Sequence, residues 1–172
     1  VVLESFHKAS LFYDAIEDGD DERYGEPTVH RRYGIPAAIN AGDYLIGEGY
    51  RLLAGSSFDS ARRADMTLAA ARGHRELCLG QGEELAFCRS PAPVTEASVL
   101  KIYDRKTAAA FEVAVLVGAH AAGADAALCA QLSAFSHAIG AAYQIQDDIE
   151  DFRSVRGRAA DLLAMRPTLF LA

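Results

Sequence analysis

The sequence predicts an all-α fold: antiparallel helices around a deep central cavity. Three observations carry this. Apolar residues recur at helical spacing along most of the chain. Alanine is abundant, tryptophan is absent and 51% of residues are hydrophobic, a composition suited to packed helices. No segment alternates strands with helices, and no repeat or low-complexity stretch interrupts the pattern. At 172 residues the chain is one domain's worth, long enough to bury a core.

Val2, Leu3, Phe6, Ala9, Ser10, Tyr13 and Ile16 set a first helix from Val1 to about Asp18. Gly19 to Gly34 holds three glycines, a proline and many charges. It reads as an ordered loop, longer than a simple connection needs. Pro36 opens the next helix within its first turn, and that helix runs to about Ala54. Asn40 and Asp43 lie on it, and they are expected to hydrogen-bond within the core. Ser57 or Asp59 caps a helix reaching about Glu84, with Gln81 late in it. After the break at Ser90-Pro91-Ala92-Pro93, Thr95 caps a helix that stops at Gly123. Asp125 starts the last helix, which ends near Phe152. Gly118 and Gly140 lie inside helices, where glycine costs stability, so they predict close helix approach.

Chemistry concentrates in two acidic turns. In Tyr143-Gln144-Ile145-Gln146-Asp147-Asp148-Ile149-Glu150-Asp151, Asp147 and Asp151 are four apart and share a helical face. Such carboxylates repel unless a cation sits between them. As hard oxygen ligands they suit Mg²⁺ bridging to a substrate phosphate rather than zinc. The alternative is an exposed acidic helix end. Against it, Ala134, Phe135, Ala138, Ile139, Ala141, Ala142, Tyr143 and Ile145 predict a buried helix whose acids continue into a cavity. The second turn, Asp14 and Asp18, ends the first helix, with Asp20, Asp21 and Glu22 following. Two such turns facing each other can hold a small Mg²⁺ cluster, and a diphosphate is the group that most needs one. Arg23, His30, Arg31 and Arg32 follow the first turn; Arg153, Arg156, Arg158 and Arg166 follow the second. Metal plus arginine around one ligand is a phosphoryl or diphosphate site. A lone lysine such as Lys106 ordinarily snorkels at a surface. No Ser-His-Asp set, zinc spacing or nucleotide loop is evident.

These landmarks, in order, resemble the trans-polyprenyl (isoprenyl) diphosphate synthases. The two acidic turns look like the paired DDxxD motifs, and Glu4-Ser5-Phe6-His7-Lys8-Ala9-Ser10-Leu11 resembles the lead-in to the first. Arg23-Tyr24-Gly25-Glu26-Pro27-Thr28 resembles RRGxPT, and Ala38-Ile39-Asn40-Ala41-Gly42-Asp43 resembles AIxxGD. Gly80-Gln81-Gly82 matches GQ, Lys106-Thr107 matches KT and Arg166-Pro167-Thr168-Leu169 matches GKxTL. The likeness covers essentially the whole chain but only the middle of a typical member. Two positions depart from it: Ala15 replaces the second aspartate of the first motif, and Tyr24 replaces the second arginine of RRG. Position 15 points away from the face shared by Asp14 and Asp18. Tyr24 can donate one hydrogen bond but brings no charge.

The resemblance implies an isoprenoid-synthase type of bundle and condensation of an allylic diphosphate with isopentenyl diphosphate. It implies Mg²⁺ held by Asp14, Asp18, Asp147, Asp148 and Asp151. It implies diphosphate contacts from Arg23, Lys106, Arg166 and Gln81, and Lys106, Thr107 and Gln144 as catalytic residues. A homodimer is expected on the same ground. Ala15 and Tyr24 keep two alternatives open: an enzyme passing the prenyl cation to another acceptor or cyclising it, or a non-catalytic partner subunit. Ala9 and Ser10 precede Asp14 where bulky side chains block elongation in the family; being small, they imply a longer product.

Acids exceed bases, 24 to 17, for a net charge of −7, which argues against a nucleic-acid surface. No apolar run reaches the roughly 20 residues of a membrane span; Phe111 to Ala127 comes nearest and is interrupted by Glu112, His120 and Asp125. No signal peptide is visible. Cys78, Cys88 and Cys129 are scattered and read as reduced packing residues of a cytoplasmic protein. Both ends lie in apolar runs, and parts beyond each are expected; the isopentenyl-binding basic residues of the family fall before the first.

Overall fold

The computed structural model describes residues 1–90, 93–153 and 166–172, the side chain of Asp151 excepted. Arg156 and Arg158 fall outside the described residues. The chain is helical, as its periodicity predicts, and divides into two units, Val1–Thr67 and Leu68–Ala172. Helix α4 begins in the first and continues in the second.

In the first unit, α1 spans Val2–Asp18 and α3 spans Ile35–Ala54. Gly19 ends α1 in the left-handed conformation, φ 70°, where a Cβ would be strained. Helices α1 and α3 pack by seating rings on glycines seven residues apart. A Cβ on Gly42 would lie 2.7 Å from Tyr13 Cζ, and one on Gly49 would lie 2.6 Å from Phe6 Cε1. Phe6 also meets Tyr50 edge-on, with centroids 5.0 Å apart. Leu53 is fully buried here, which stabilises by about 1.5–3 kcal/mol before the cost of ordering it.

The expected loop at Gly19–Gly34 is built more regularly than its composition suggests. Glu22–Arg23 (β1) pairs antiparallel with Glu26–Pro27 (β2), and Val29–Tyr33 forms a short α2. Tyr24 and Gly25 turn the hairpin at φ 56° and 79°. Two consecutive positive φ values make the type of tight turn that Asn-Gly favours. Tyr24 is therefore strained, and its ring is 90% exposed. Thr28 Oγ1 donates to the Asp20 carbonyl at 2.8 Å and its N–H to that of Asp21 at 3.0 Å, closing the base.

Asn40 and Asp43 were expected inside the core, but both are exposed. Asp43 accepts a hydrogen bond from Tyr13, so it ties α3 to α1 at the surface instead. Asp59, rather than Ser57, caps α4 (Ser60–Arg89): its Oδ1 accepts from the Arg62 N–H at 2.9 Å. That amide holds the Asp59 carboxyl below its ordinary pKa. Helix α4 runs past Glu84 to Arg89, because nothing between them breaks a helix.

In the second unit, Thr95 caps α5 (Glu96–Tyr103) through a capping box with Ser98, at 3.1 and 3.2 Å. One helix to Gly123 was expected. Instead a π turn at Asp104–Ala108 separates α5 from α6 (Ala109–Ala122). Helix α7 spans Ala126–Arg153 and is capped by Asp125, whose Oδ1 accepts from the Leu128 N–H at 2.8 Å. Gly140 fulfils its prediction of close approach, meeting Ala108; Gly118 does not, since nothing lies within 4 Å of where its Cβ would be. Nor is α7 buried all round: Phe135, Ile139 and Tyr143 are exposed, while Ser136 is fully buried. No described helix is long and apolar enough to cross a membrane.

His137 on α7 binds Asp104 through Nδ1, and its Nε2 lies 3.6 Å from Glu112. Partial burial works against the charged ring, but Asp104 and then Glu112 outweigh it and raise its pKa above 6.5. A raised folded pKa makes this contribution full below the unfolded value and lost as pH rises through the folded one. The Tm difference between wild type and His137→Gln is expected to be largest near pH 6 and to shrink as pH rises above 6.5. In the first unit, Tyr24→Asn should relieve the turn and raise unfolding free energy by about 0.5 kcal/mol in urea titrations.

Candidate functional site

Each acidic turn closes a helix, and the local fold decides where its carboxylates point. On α1, Asp14 and Asp18 are both partly exposed, one turn apart. Ala15 between them is only 4% exposed, so the position that departs from the motif faces the protein interior. Arg23, carried back by the β1–β2 hairpin, donates from Nη2 to Asp14 Oδ2 at 2.7 Å and to Asp20 Oδ2 at 3.4 Å. Burial opposes the Arg23 charge, yet the bonds to Asp14 and Asp20 hold its pKa above the ordinary value. The first unit thus sets acids and a cation of the expected kinds side by side.

In the second unit the π turn presents consecutive residues to two different helices. Lys106 Nζ donates to Glu84 Oε1 on α4 at 2.7 Å. Glu84 is 8% exposed, so the pair is desolvated on the carboxylate side. Thr107 Oγ1 donates to Gln144 Oε1 on α7 at 2.6 Å. Gln144 Nε2 donates to Asp148 Oδ1 at 3.1 Å, and Tyr103 donates its hydroxyl proton to Asp148 Oδ2. The Leu169 N–H donates to the Tyr103 oxygen at 3.2 Å, which ties in the segment after residue 165. A carboxylate only accepts, so Asp148 fixes which end of the Gln144 amide faces Thr107.

The expected metal set divides. Asp147 is exposed at the end of α7. Asp148 has other partners than expected: it is 5% exposed, and both its oxygens accept hydrogen bonds within the protein, which makes it a brace. The side chain of Asp151 lies outside the described residues. Among the described residues, no three His, Cys, Asp or Glu side chains cluster as a metal site. The donors at hand are nonetheless hard oxygens two to a turn, which is the chemistry magnesium takes.

Arg166 is partly buried beside the buried Pro167 and Thr168. Gln81 Nε2 and Thr168 Oγ1 are the buried side-chain polar atoms without a hydrogen-bond partner among the described residues. Buried polar groups are normally paired, so both are places where a polar ligand or water is expected. Sequence reasoning passed over Glu84 and Tyr103. Glu84 lies one turn after Gln81, and Tyr103 one turn before Thr107. That spacing was the only signal for them, and it does not reveal burial.

The family model for polyprenyl synthetases matches residues 1–169. A geranylgeranyl diphosphate synthase of Cereibacter sphaeroides is 38% identical over 88% of this chain and 51% of its own length. The solved geranylgeranyl pyrophosphate synthetase of Pyrococcus horikoshii superposes with a TM-score of 0.82 at 34% identity, covering 88% of this chain and 46% of that one. A geranyltransferase of Helicobacter pylori, solved with magnesium and isoprenyl diphosphate, shares the fold with a TM-score of 0.83 at 24% identity over 92% of this chain and 53% of its own. The chain spans about half the length of the curated relatives it matches. With a model match over nearly every residue and relatives of the same fold above 30% identity, the chain belongs to the polyprenyl synthetase family.

Proposed function

We propose that the protein condenses an allylic diphosphate with isopentenyl diphosphate, lengthening a trans-polyprenyl diphosphate by five carbons. One observation carries the reading. The hydrogen-bond chain Thr107–Gln144–Asp148–Tyr103 links the acidic end of α7 to the turn that carries Lys106, so acids and cation belong to one braced unit. Asp14, Asp18, Asp147 and Asp151 are the proposed magnesium ligands, and Asp148 holds the Gln144 amide. Bound magnesium would neutralise the charge that develops on a departing diphosphate. Lys106 and Arg166 in the second unit, and Arg23 in the first, are the proposed positive charges for diphosphate, and Gln81 offers an unpartnered amide donor. The allylic C–O bond then breaks with its electron pair leaving on the diphosphate. The isopentenyl double bond attacks the allylic carbon, and a proton is lost. Thr107 and Gln144 line that step as oriented polar groups. No protein nucleophile is required.

The buried position of Ala15 supports activity despite the altered motif, because the partly exposed Asp14 and Asp18 keep the metal-facing roles. Partners of the reaction are the two diphosphates; a homodimer and a cytoplasmic setting complete the proposal.

Incubation with Mg²⁺, an allylic diphosphate and labelled isopentenyl diphosphate tests this. Chain extension is expected. Diphosphate release without extension would indicate another acceptor, and inertness a partner subunit. Lys106→Ala should lower kcat by about a hundredfold. Asp148→Asn should cost about 10–100-fold. Its amide removes the constraint that holds Gln144, which then turns its own amide toward Thr107. Magnesium titration separates the two causes, since the Asp148 variant is expected to keep its Mg²⁺ dependence. Ala9 and Ser10 are small, so the product is proposed to exceed C15, and Ala9→Phe should shorten it. Product analysis by chain length decides; a C10 or C15 product from the wild type would contradict the room assigned to this position.

A further inference from the structure

The π turn is clamped from two sides by glycines that are not there for their conformational freedom. Neither Gly80 nor Gly140 has a positive φ; among the described residues the glycines that do are Gly19, Gly25, Gly34 and Gly123. What Gly80 and Gly140 lack is volume. A Cβ on Gly80 of α4 would lie 2.7 Å from Lys106 N, 2.8 Å from Arg105 Cβ and 2.9 Å from the Arg105 carbonyl carbon. A Cβ on Gly140 of α7 would lie 2.4 Å from Ala108 Cα, 2.7 Å from its Cβ and 2.9 Å from its N. Four of these six are backbone atoms and the other two are Cβ atoms fixed to the backbone, so none can swing aside as the end of a flexible side chain would. Two turns before Gly80, Gly73 meets Val113 of α6, where a Cβ would sit 2.0 Å from Cγ2.

We propose that Gly80 and Gly140 are positioning residues that set where the π turn, and with it Lys106 and Thr107, sits. The physical reason lies in the turn itself. A π turn bonds i to i+5 and holds one residue more than an α-helical turn, so its geometry is poorer and a neighbour must hold it in place. Sliding or rewinding it would rotate Lys106 away from Glu84 and Thr107 away from Gln144. The catalytic consequence rests on the synthase reading above; the geometric claim does not.

Zero-length carbodiimide cross-linking of the intact chain, read by mass spectrometry, reports the Lys106–Glu84 pair without any turnover. Glu4–Lys8 on α1, at 3.4 Å, is the reference in the same sample. Gly80→Ala and Gly140→Ala are expected to lose at least about fivefold of the Lys106–Glu84 product, and about a hundredfold in kcat. Gly118→Ala, with open space around it, should keep both. Folded alanine variants that cross-link like the wild type overturn the proposal. If Gly140→Ala does not fold, Gly80→Ala decides alone, and a folded Gly80→Ala variant that keeps the cross-link overturns the clamp. A wild type that makes no product, yet loses its cross-link in the alanine variants, overturns the synthase reading and leaves the clamp standing.

Discussion

A buried carboxylate is the constraint on which the second unit depends. Asp148 is 5% exposed and ionisable, so its charge has to be met from within the protein. Tyr103 and Gln144 meet it, one oxygen each. Because Tyr103 lies on α5, Gln144 on α7 and Thr107 on the π turn, satisfying one charge holds three pieces of the unit in register. The Leu169 amide, bonded to the same tyrosine, adds the segment near the end of the chain. Such networks are worth most when every member is satisfied, and this one is satisfied at each atom it uses.

The first unit solves a different problem. Two helices must approach closely while keeping the acids at the end of α1 accessible. Seating Phe6 and Tyr13 on Gly49 and Gly42 brings the axes together at two positions where α3 carries no side chain. The Tyr13 hydroxyl then reaches Asp43 at the surface. The hairpin of β1 and β2 folds back so that Arg23 lies against Asp14, and Ala15 fills the interior. The same packing that holds the helix therefore also orients its carboxylates outward.

Much of this was legible in the chain. Caps at Thr95 and Asp125, the stops at Gly19 and Gly123, and the helices between them follow from local rules that tertiary context did not override. The acidic turns and Lys106-Thr107 were visible as residue types at fixed spacing. What was not legible depended on a partner far away in sequence. Asp148 reads like its neighbour Asp147 until Tyr103 is found against it. Gly118 and Gly140 look alike in the sequence; only the second has a helix pressed on it. The π turn leaves no periodic signature, because one inserted residue in a helix rich in alanine shifts the pattern without breaking it.

The pairing of Lys106 with Glu84 has a consequence for selectivity. Any anion that claims the lysine enters an exchange with a carboxylate already seated at 2.7 Å in a poorly hydrated place. A singly charged guest gains little over the incumbent. A polyanion accompanied by its own divalent counter-ions brings enough attraction to win the ammonium and enough positive charge to leave the orphaned glutamate tolerable. On the proposed function, the resting ion pair is a threshold, set by electrostatics rather than by shape, that favours diphosphates over monophosphates.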